Sequence, residues 1–312
     1  MIVSVTLNPS VDFTLYVNGL VPNDTDRIMR VETDAGGKGV NLARVVSALD
    51  MPTVATGFLG GDAGAFVKSV LDRQAVPHRF VEVAGETRTN YSIEDGSGCP
   101  PTTLNTSGPH IDEAHWQALM KLVETLSRGA NWTALGGSLP PGVPVDAYRT
   151  LCDLARSGGG KVALDADGEP ARKGLEARPD FFKPNAKEAG RLLACNVDTD
   201  EQAVLAAEEI REYLSPEGVC VVSLGARGAA MATPQKTLFG EGISVEARST
   251  VGSGDSMMGA ILVGLSKDMK HGRALELGLA AGAATAMTDG TTIADRDGIE
   301  RLLPLARVES AR

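Results

Sequence analysis

Cysteine is scarce in this chain, and what there is does not cluster. Cys99, Cys152, Cys195 and Cys220 are the four among 312 residues, and no two stand in a CxxC pair. Neither a zinc site nor a disulfide framework is indicated. Aromatic residues make up only 4%, which leaves little material for base-stacking surfaces. Positive charge is short as well: 30 Lys and Arg stand against 40 Asp and Glu, a net charge of −10. That balance speaks against nucleic acid or an anionic membrane as a partner. It also requires any phosphate ligand to be held by local cations and backbone amides. No apolar run approaches the roughly 20 residues needed to cross a bilayer. The N-terminal residues lack the basic region, apolar core and cleavage site of a signal peptide. Together these absences lead us to expect a cytoplasmic protein with reduced thiols.

What is present is a pattern of short apolar runs alternating with helical periodicity. The 43% apolar content and 36 glycines suit a packed core with many tight turns. Ile2–Leu7, Thr53–Leu59, Trp132–Leu135, Lys161–Asp165, the Phe181-Phe182 run and Val219–Leu224 read as buried strands. Leu42–Leu49, Gly64–Arg73, Glu113–Ser127, Val145–Arg156, Thr199–Leu214, Met257–Leu265 and Arg273–Thr288 read as helices. The Ser157–Gly160 run reads as a helix terminator. Strands alternating with helices imply a mainly parallel sheet covered on both faces. Two stretches break the pattern. Residues 12–34 and 87–108 hold short strands of mixed polarity, and they read as a small second sheet inserted beside the main one. With no repeats or long linkers, residues 1–312 read as one domain.

Six groups of residues carry chemistry. Ser249-Thr250-Val251-Gly252-Ser253-Gly254-Asp255 follows a strand-like run, Ile243–Ala247, and opens a buried helix. Two glycines there let backbone N–H groups of Gly252, Ser253 and Gly254 approach a ligand, at a helix end whose partial positive charge favours anions. Asp255 in the first turn either caps its helix or accepts a proton from a reacting hydroxyl. Gly36-Gly37-Lys38-Gly39-Val40-Asn41 again places glycines before a helix and adds a cation and an amide. Asp12 lies just past the first strand, where open α/β sheets bind ligands. Asn185 and Glu188, three apart, either cap a helix or organise Mg²⁺. Arg88 and Asn90 share a strand face, and Arg88 suits a bidentate phosphate contact. Ser223, Gly225 and Gly228 form a strand-to-turn corner.

Taken together, Leu7-Asn8-Pro9-Ser10-Val11-Asp12, Gly36–Asn41, Gly137-Ser138-Leu139-Pro140-Pro141-Gly142, Lys183-Pro184-Asn185-x-x-Glu188 and Thr250–Asp255 resemble the ribokinase-like carbohydrate kinases of the PfkB type. The likeness covers essentially the whole chain. It is greatest to the phosphosugar branch: 1-phosphofructokinases, tagatose-6-phosphate kinases and minor 6-phosphofructokinases. The resemblance implies a three-layer αβα sandwich with a β-sheet lid that serves as a dimer clasp. It implies ATP- and Mg²⁺-dependent phosphoryl transfer to a sugar phosphate. In that reading Asp255 is the base, and the amides of Gly252, Ser253 and Gly254 form the anion hole. Asp12, Gly37, Lys38, Asn41 and Asn90 face sugar hydroxyls. Arg88, Lys38, Ser138 and a lid residue, Arg27, hold the ester phosphate. Lys183, Asn185 and Glu188 serve ATP and Mg²⁺, and Ser223, Gly225 and Gly228 line the nucleotide site. Some relatives bind K⁺ near the anion-hole loop; Thr288-Asp289-Gly290 stands where several have Asn-x-Gly, which leaves K⁺ open. Lys38 within its glycine run leans toward fructose 1-phosphate or tagatose 6-phosphate as acceptor. The C-terminal third leans toward fructose 6-phosphate.

Overall fold

The structure is a computed structural model that describes residues 1–21, 23–96 and 101–311. Cys99, in the turn-rich stretch within the small sheet, lies outside the described residues. The strands are β1 (Ile2–Thr6), β2 (Ser10–Val17), β3 (Ile28–Gly36), β4 (Thr53–Leu59), β5 (Val81–Glu82), β6 (Arg88–Glu94), β7 (Thr102–Asn105), β8 (Trp132–Gly136), β9 (Lys161–Asp165), β10 (Phe181–Phe182), β11 (Val219–Ser223), β12 (Gly228–Ala232), β13 (Thr237–Glu241) and β14 (Val308–Ser310). The helices are α1 (Lys38–Ala48), α2 (Gly61–Arg73), α3 (Glu113–Ser127), α4 (Ala147–Ser157), α5 (Gly168–Leu175), α6 (Ala186–Leu193), α7 (Asp200–Arg211), α8 (Ser253–Ser266), α9 (His271–Ala286) and α10 (Arg296–Leu302).

The main sheet has ten strands in the order β14-β13-β12-β11-β10-β9-β8-β1-β4-β5. From β11 to β5 every pairing is parallel, and β12, β13 and β14 add an antiparallel edge. Alternation within the strands divides the core in two. Val3 and Val5 pack with residues of α3, α4 and α7 on one face. Ile2, Trp132 and Phe181 pack with residues of α1, α8 and α9 on the other. Each layer of helices thus buries one face of the sheet, and three layers result.

The small sheet has the order β3-β2-β6-β7. Its strand β2 continues from β1 after only Leu7–Pro9, so the lid springs from the third strand in from the β5 edge of the main sheet. There, between β1 and β8, the strand order reverses direction, which is where such sheets open a ligand crevice. Among the described residues no helix is long and apolar enough to cross a membrane.

Several elements differ from the sequence reading. Ile243–Ala247 is not a strand; it runs as irregular chain beside a cleft. The β12–β13 hairpin, helices α5 and α10 and strand β14 were not anticipated. Helix α5 carries Pro170 in its first turn, where a missing N–H costs nothing.

Candidate active site

The carboxyl ends of β1, β8, β9, β10 and β11 form one edge, and the singled-out residues gather along it. At the β9–β11 end is a cleft of about 560 Å³, lined by Lys38, Asp165, Lys183, Asn185, Glu188, Ser223, Gly225 and Asp255 among others. Its far wall is apolar, from Ile243, Val245, Leu279 and Ala283. At the β1–β8 end is a second cleft of about 570 Å³ that includes Asn8, Arg88, Asn105 and Ser138.

Helix α8 starts at the first cleft. Gly252 is its N-cap, at φ +78°. The Ser253 N–H meets the Thr250 carbonyl at 3.3 Å. Among the described residues the N–H groups of Gly252, Gly254 and Asp255 meet no acceptor. These are the orphan donors of a helix start, left free for an anion. Asp255 sits in the same turn. Burial raises its pKa and the Asp165 charge adds to that; Lys38, the Asn41 amide and Lys183 pull it down. The net result is a carboxyl pushed up to about 6. An acid of that strength is ionised near neutrality and still basic enough to take a proton.

Asp165, at the end of β9, is the hub of the cleft. Its two oxygens accept from Lys38 Nζ at 2.5 Å and Lys183 Nζ at 2.9 Å. Its side chain is 3% exposed and that of Lys183 4%. Burial alone would raise the Asp165 pKa, but the two ammonium groups outweigh burial and hold it below the usual carboxylate range. Lys38 is likewise disfavoured by burial, yet Asp165, Glu188 and Asp255 raise its pKa above the usual value. Lys38 is therefore held as a positive charge in the cleft at neutral pH. Sequence reasoning named both lysines and missed Asp165. The one available signal was its place at the carboxyl end of a parallel strand.

Asp12 is on lid strand β2, not in a turn. Ser10 Oγ donates to Asp12 Oδ1 at 2.7 Å and Asn90 Nδ2 donates to the same oxygen at 2.8 Å. Burial raises Asp12 above its usual value against those bonds and the Arg88 charge. Gly36 makes room for it: a Cβ there would lie 2.0 Å from Asp12 Oδ2. Gly37 is the N-cap of α1 at φ +112°, pressed against Thr6 and Pro9. Arg88 Nε donates to the Asn8 carbonyl at 3.0 Å, and its terminal nitrogens have no partner among the described residues. Ser138 Oγ accepts from Asn8 Nδ2 at 3.2 Å at the same cleft. The Asn41 amide donates to Asp255 Oδ2 at 2.9 Å. Arg27 is exposed and lies in neither cleft.

At the β10–β11 end of the first cleft, Asn185 and Glu188 form a complete capping box at the start of α6. Asn185 Oδ1 accepts from the Glu188 N–H at 3.0 Å, and Glu188 Oε2 accepts from the Asn185 N–H at 2.8 Å. Both still line the cleft, and Glu188 Oε1 faces Lys38 Nζ at 3.8 Å. Among the described residues no group of three or more His, Cys, Asp or Glu is placed to hold a metal ion. A lone carboxylate and an amide fit Mg²⁺ carried largely by phosphates and water, not a closed protein cage. Ser223 and Gly225 line the cleft, but Gly228 does not. It begins β12, where a Cβ would lie 1.9 Å from the Gly240 carbonyl. Its glycine serves the hairpin.

Comparison with known proteins defines the class. A profile of the pfkB family carbohydrate kinases matches residues 2–297. The chain is 30% identical over 308 residues to 1-phosphofructokinase of Bacillus subtilis (strain 168), covering 99% of each chain. It is 31% identical over 305 residues to ATP-dependent 6-phosphofructokinase isozyme 2 of Mycobacterium tuberculosis, covering 98% of this chain and 89% of that one. Phosphofructokinase-2 from Escherichia coli, solved in complex with potassium, superposes with a TM-score of 0.88 at 28% identity, over 97% of this chain and 98% of that one. The chain belongs to the pfkB family of carbohydrate kinases. It is a phosphotransferase with an alcohol group as acceptor, and the expected ribokinase-like sandwich with its β-sheet lid is the fold it adopts.

Proposed function

We propose that the chain is an ATP-dependent sugar-phosphate kinase with Asp255 as base and fructose 1-phosphate as favoured acceptor. The observation that carries this reading is the pair of clefts on one edge. One holds the carboxylate, two lysines and unpartnered helix-start amides. The other holds an arginine whose terminal nitrogens have no partner among the described residues and can meet a second phosphate. An apolar wall beside the first cleft suits a flat purine.

In this mechanism Asp255 accepts the proton of the attacking hydroxyl as its oxygen bonds to the γ-phosphorus and the bond to the ADP oxygen breaks. The free N–H groups of Gly252 and Gly254, joined by that of Ser253 once it leaves its long bond to the Thr250 carbonyl, and the ammonium of Lys183 stabilise the transferring group. When bound, Mg²⁺ neutralises phosphate charge, and Asn185 and Glu188 would hold it, directly or through water. Asp12, Gly37, Lys38, Asn41 and Asn90 address the sugar hydroxyls, and Arg88 and Ser138 the ester phosphate. Ser223 and Gly225 line the nucleotide site. The lid excludes water that would otherwise hydrolyse ATP. Exposed Ile28, Met29, Val31 and Leu104 on the lid support closure against a second copy of the chain, from which Arg27 would reach the site. Light scattering of Met29→Glu, expected as a monomer, tests that.

The relatives also support fructose 6-phosphate as acceptor, and tagatose 6-phosphate is a third candidate. The deciding assay is ATP turnover with Mg²⁺, with and without K⁺, against fructose and the three phosphates. Preference for fructose 1-phosphate is the expected result. Preference for another ester reassigns the acceptor. Activity on free fructose alone overturns the phosphate role of Arg88.

A further inference from the structure

We infer that Asn41 is a positioning residue that decides which oxygen of Asp255 receives the proton. The inference rests on Asp255 being the base. Helices α1 and α8 start side by side at the cleft, and Asn41 lies one turn beyond Lys38 on α1. Asn41 is 3% exposed. Its Nδ2 donates to Asp255 Oδ2 at 2.9 Å. The reversed amide would set a carbonyl oxygen against a carboxylate, so charge fixes its orientation.

Two further observations separate this from an ordinary buried asparagine. A buried structural amide usually has both ends satisfied. Among the described residues Oδ1 is buried without a partner, and the bond to Asp255 is the only side-chain hydrogen bond that orients the amide. The amide also sits against the anion loop: a Cβ on Gly252 would lie 3.5 Å from Asn41 Nδ2. One side chain thus bonds the base and lies beside the loop that supplies free N–H groups.

The consequence is stereochemical. An N–H donor bonds an oxygen lone pair and repels a hydrogen placed on it. With Oδ2 occupied, the proton leaving the sugar hydroxyl goes to Oδ1. The same bond locks the carboxylate rotation, and misplacement of a reacting group by about 1 Å can cost about 100-fold in rate. The charged groups facing Asp255 from other elements are Asp165 on β9, Lys183 after β10 and Lys38 on α1. None is altered by a change at Asn41, so a changed pH response reports the amide itself.

The test compares wild type, Asn41→Leu and Asn41→Asp, using ATP, Mg²⁺ and fructose 1-phosphate across pH, with Asp255→Asn as the first control. Turnover by Asp255→Asn would remove the base reading itself, and this inference with it. With that control inactive, Asn41→Leu is expected to lower kcat by roughly 10- to 100-fold. Its KM for ATP stays unchanged, and its acid limb moves to higher pH because a bond favouring the ionised carboxylate is gone. Asn41→Asp sets a second carboxylate against the first. Activity is then expected only where the pair shares a proton, so it falls as pH rises, opposite to wild type. A rise in fructose 1-phosphate KM alone, with kcat and the acid limb unmoved, overturns the inference and makes Asn41 a plain sugar ligand. So does an unchanged enzyme. If Asn41→Leu fails to fold, the pH profile of Asn41→Asp decides.

Discussion

Replacing Asp165 by asparagine keeps the shape of the hub and removes its charge. Two ammonium groups then lose the carboxylate they share, and only the more distant Glu188, 3.8 Å from Lys38 Nζ, and Asp255 remain to offset them. Lys183, at 4% exposure, cannot turn to water, whereas Lys38 is 33% exposed and relaxes more easily. The loss therefore comes mainly from Lys183. Breaking one partner of a buried pair costs about 3–5 kcal/mol, and the Lys38 share is discounted for solvent screening. Urea unfolding of wild type and Asp165→Asn at pH 7 measures it. Adding Lys183→Met to Asp165→Asn should recover part of the loss, because it removes the stranded charge. The pH dependence has a definite sign. Asp165 is held below the usual carboxylate range when folded. Its contribution is complete above the unfolded pKa of about 3.9 and disappears as pH falls through the folded value. The stability gap between wild type and Asp165→Asn should therefore narrow in acid. A gap under about 1 kcal/mol at pH 7, the scale of a surface pair, would refute the reasoning.

Further outcomes are expected at three residues. Asp255→Asn should abolish turnover while calorimetry still detects fructose 1-phosphate binding. Because the Asp255 carboxyl is pushed up to about 6, kcat/KM should fall below that pH in wild type. The same upward shift means that folding disfavours its ionised form, so Asp255→Asn should melt no lower than wild type at pH 8; a clear drop in Tm would count against the burial argument. Arg88→Ala should raise the KM for the sugar phosphate far more than that for ATP, and equal effects would argue against a phosphate role. Gly36→Ala would set a methyl 2.0 Å from Asp12 Oδ2. It should displace that carboxylate and raise the sugar KM, with ATP binding unaffected; unchanged sugar kinetics would show that Asp12 does not grip the substrate.

The sequence made the frame and the edge motifs legible because both are local signals. Thr53–Leu59, Glu113–Ser127 and Lys161–Asp165 have the bounds read from their periodicity. The glycine runs before α1 and α8 mark helix starts for a reason visible in the residues themselves. Long-range charge pairing was not legible. Nothing local distinguishes Asp165 from any aspartate at a strand end, because its partners stand at positions 38 and 183. The stretch Ile243–Ala247 misled for a physical reason. Its alternating apolar side chains face a cleft wall, and facing a ligand site leaves the same pattern as facing a core. Arg27 was a family-based expectation that a single chain leaves far from either cleft. The β12–β13 hairpin hid because Gly228–Ala232 is small and buried throughout, with no alternation to read.

The lid rises from the main sheet at the point where it would grip the sugar. Asp12 stands two residues into β2 and Arg88 opens β6, paired with Ser10, while the free end of the ribbon lies near Val17 and Glu94. At about 3.3 Å per residue, the distance from Ser10 to Val17 is roughly three times that from Ser10 to Asp12. As a lever, the lid is gripped near its fulcrum. A rotation wide enough to admit a sugar phosphate at the tip displaces Asp12 only about a third as far. An open form would then keep Asp12 and Arg88 almost in register while the far end of the ribbon swings clear.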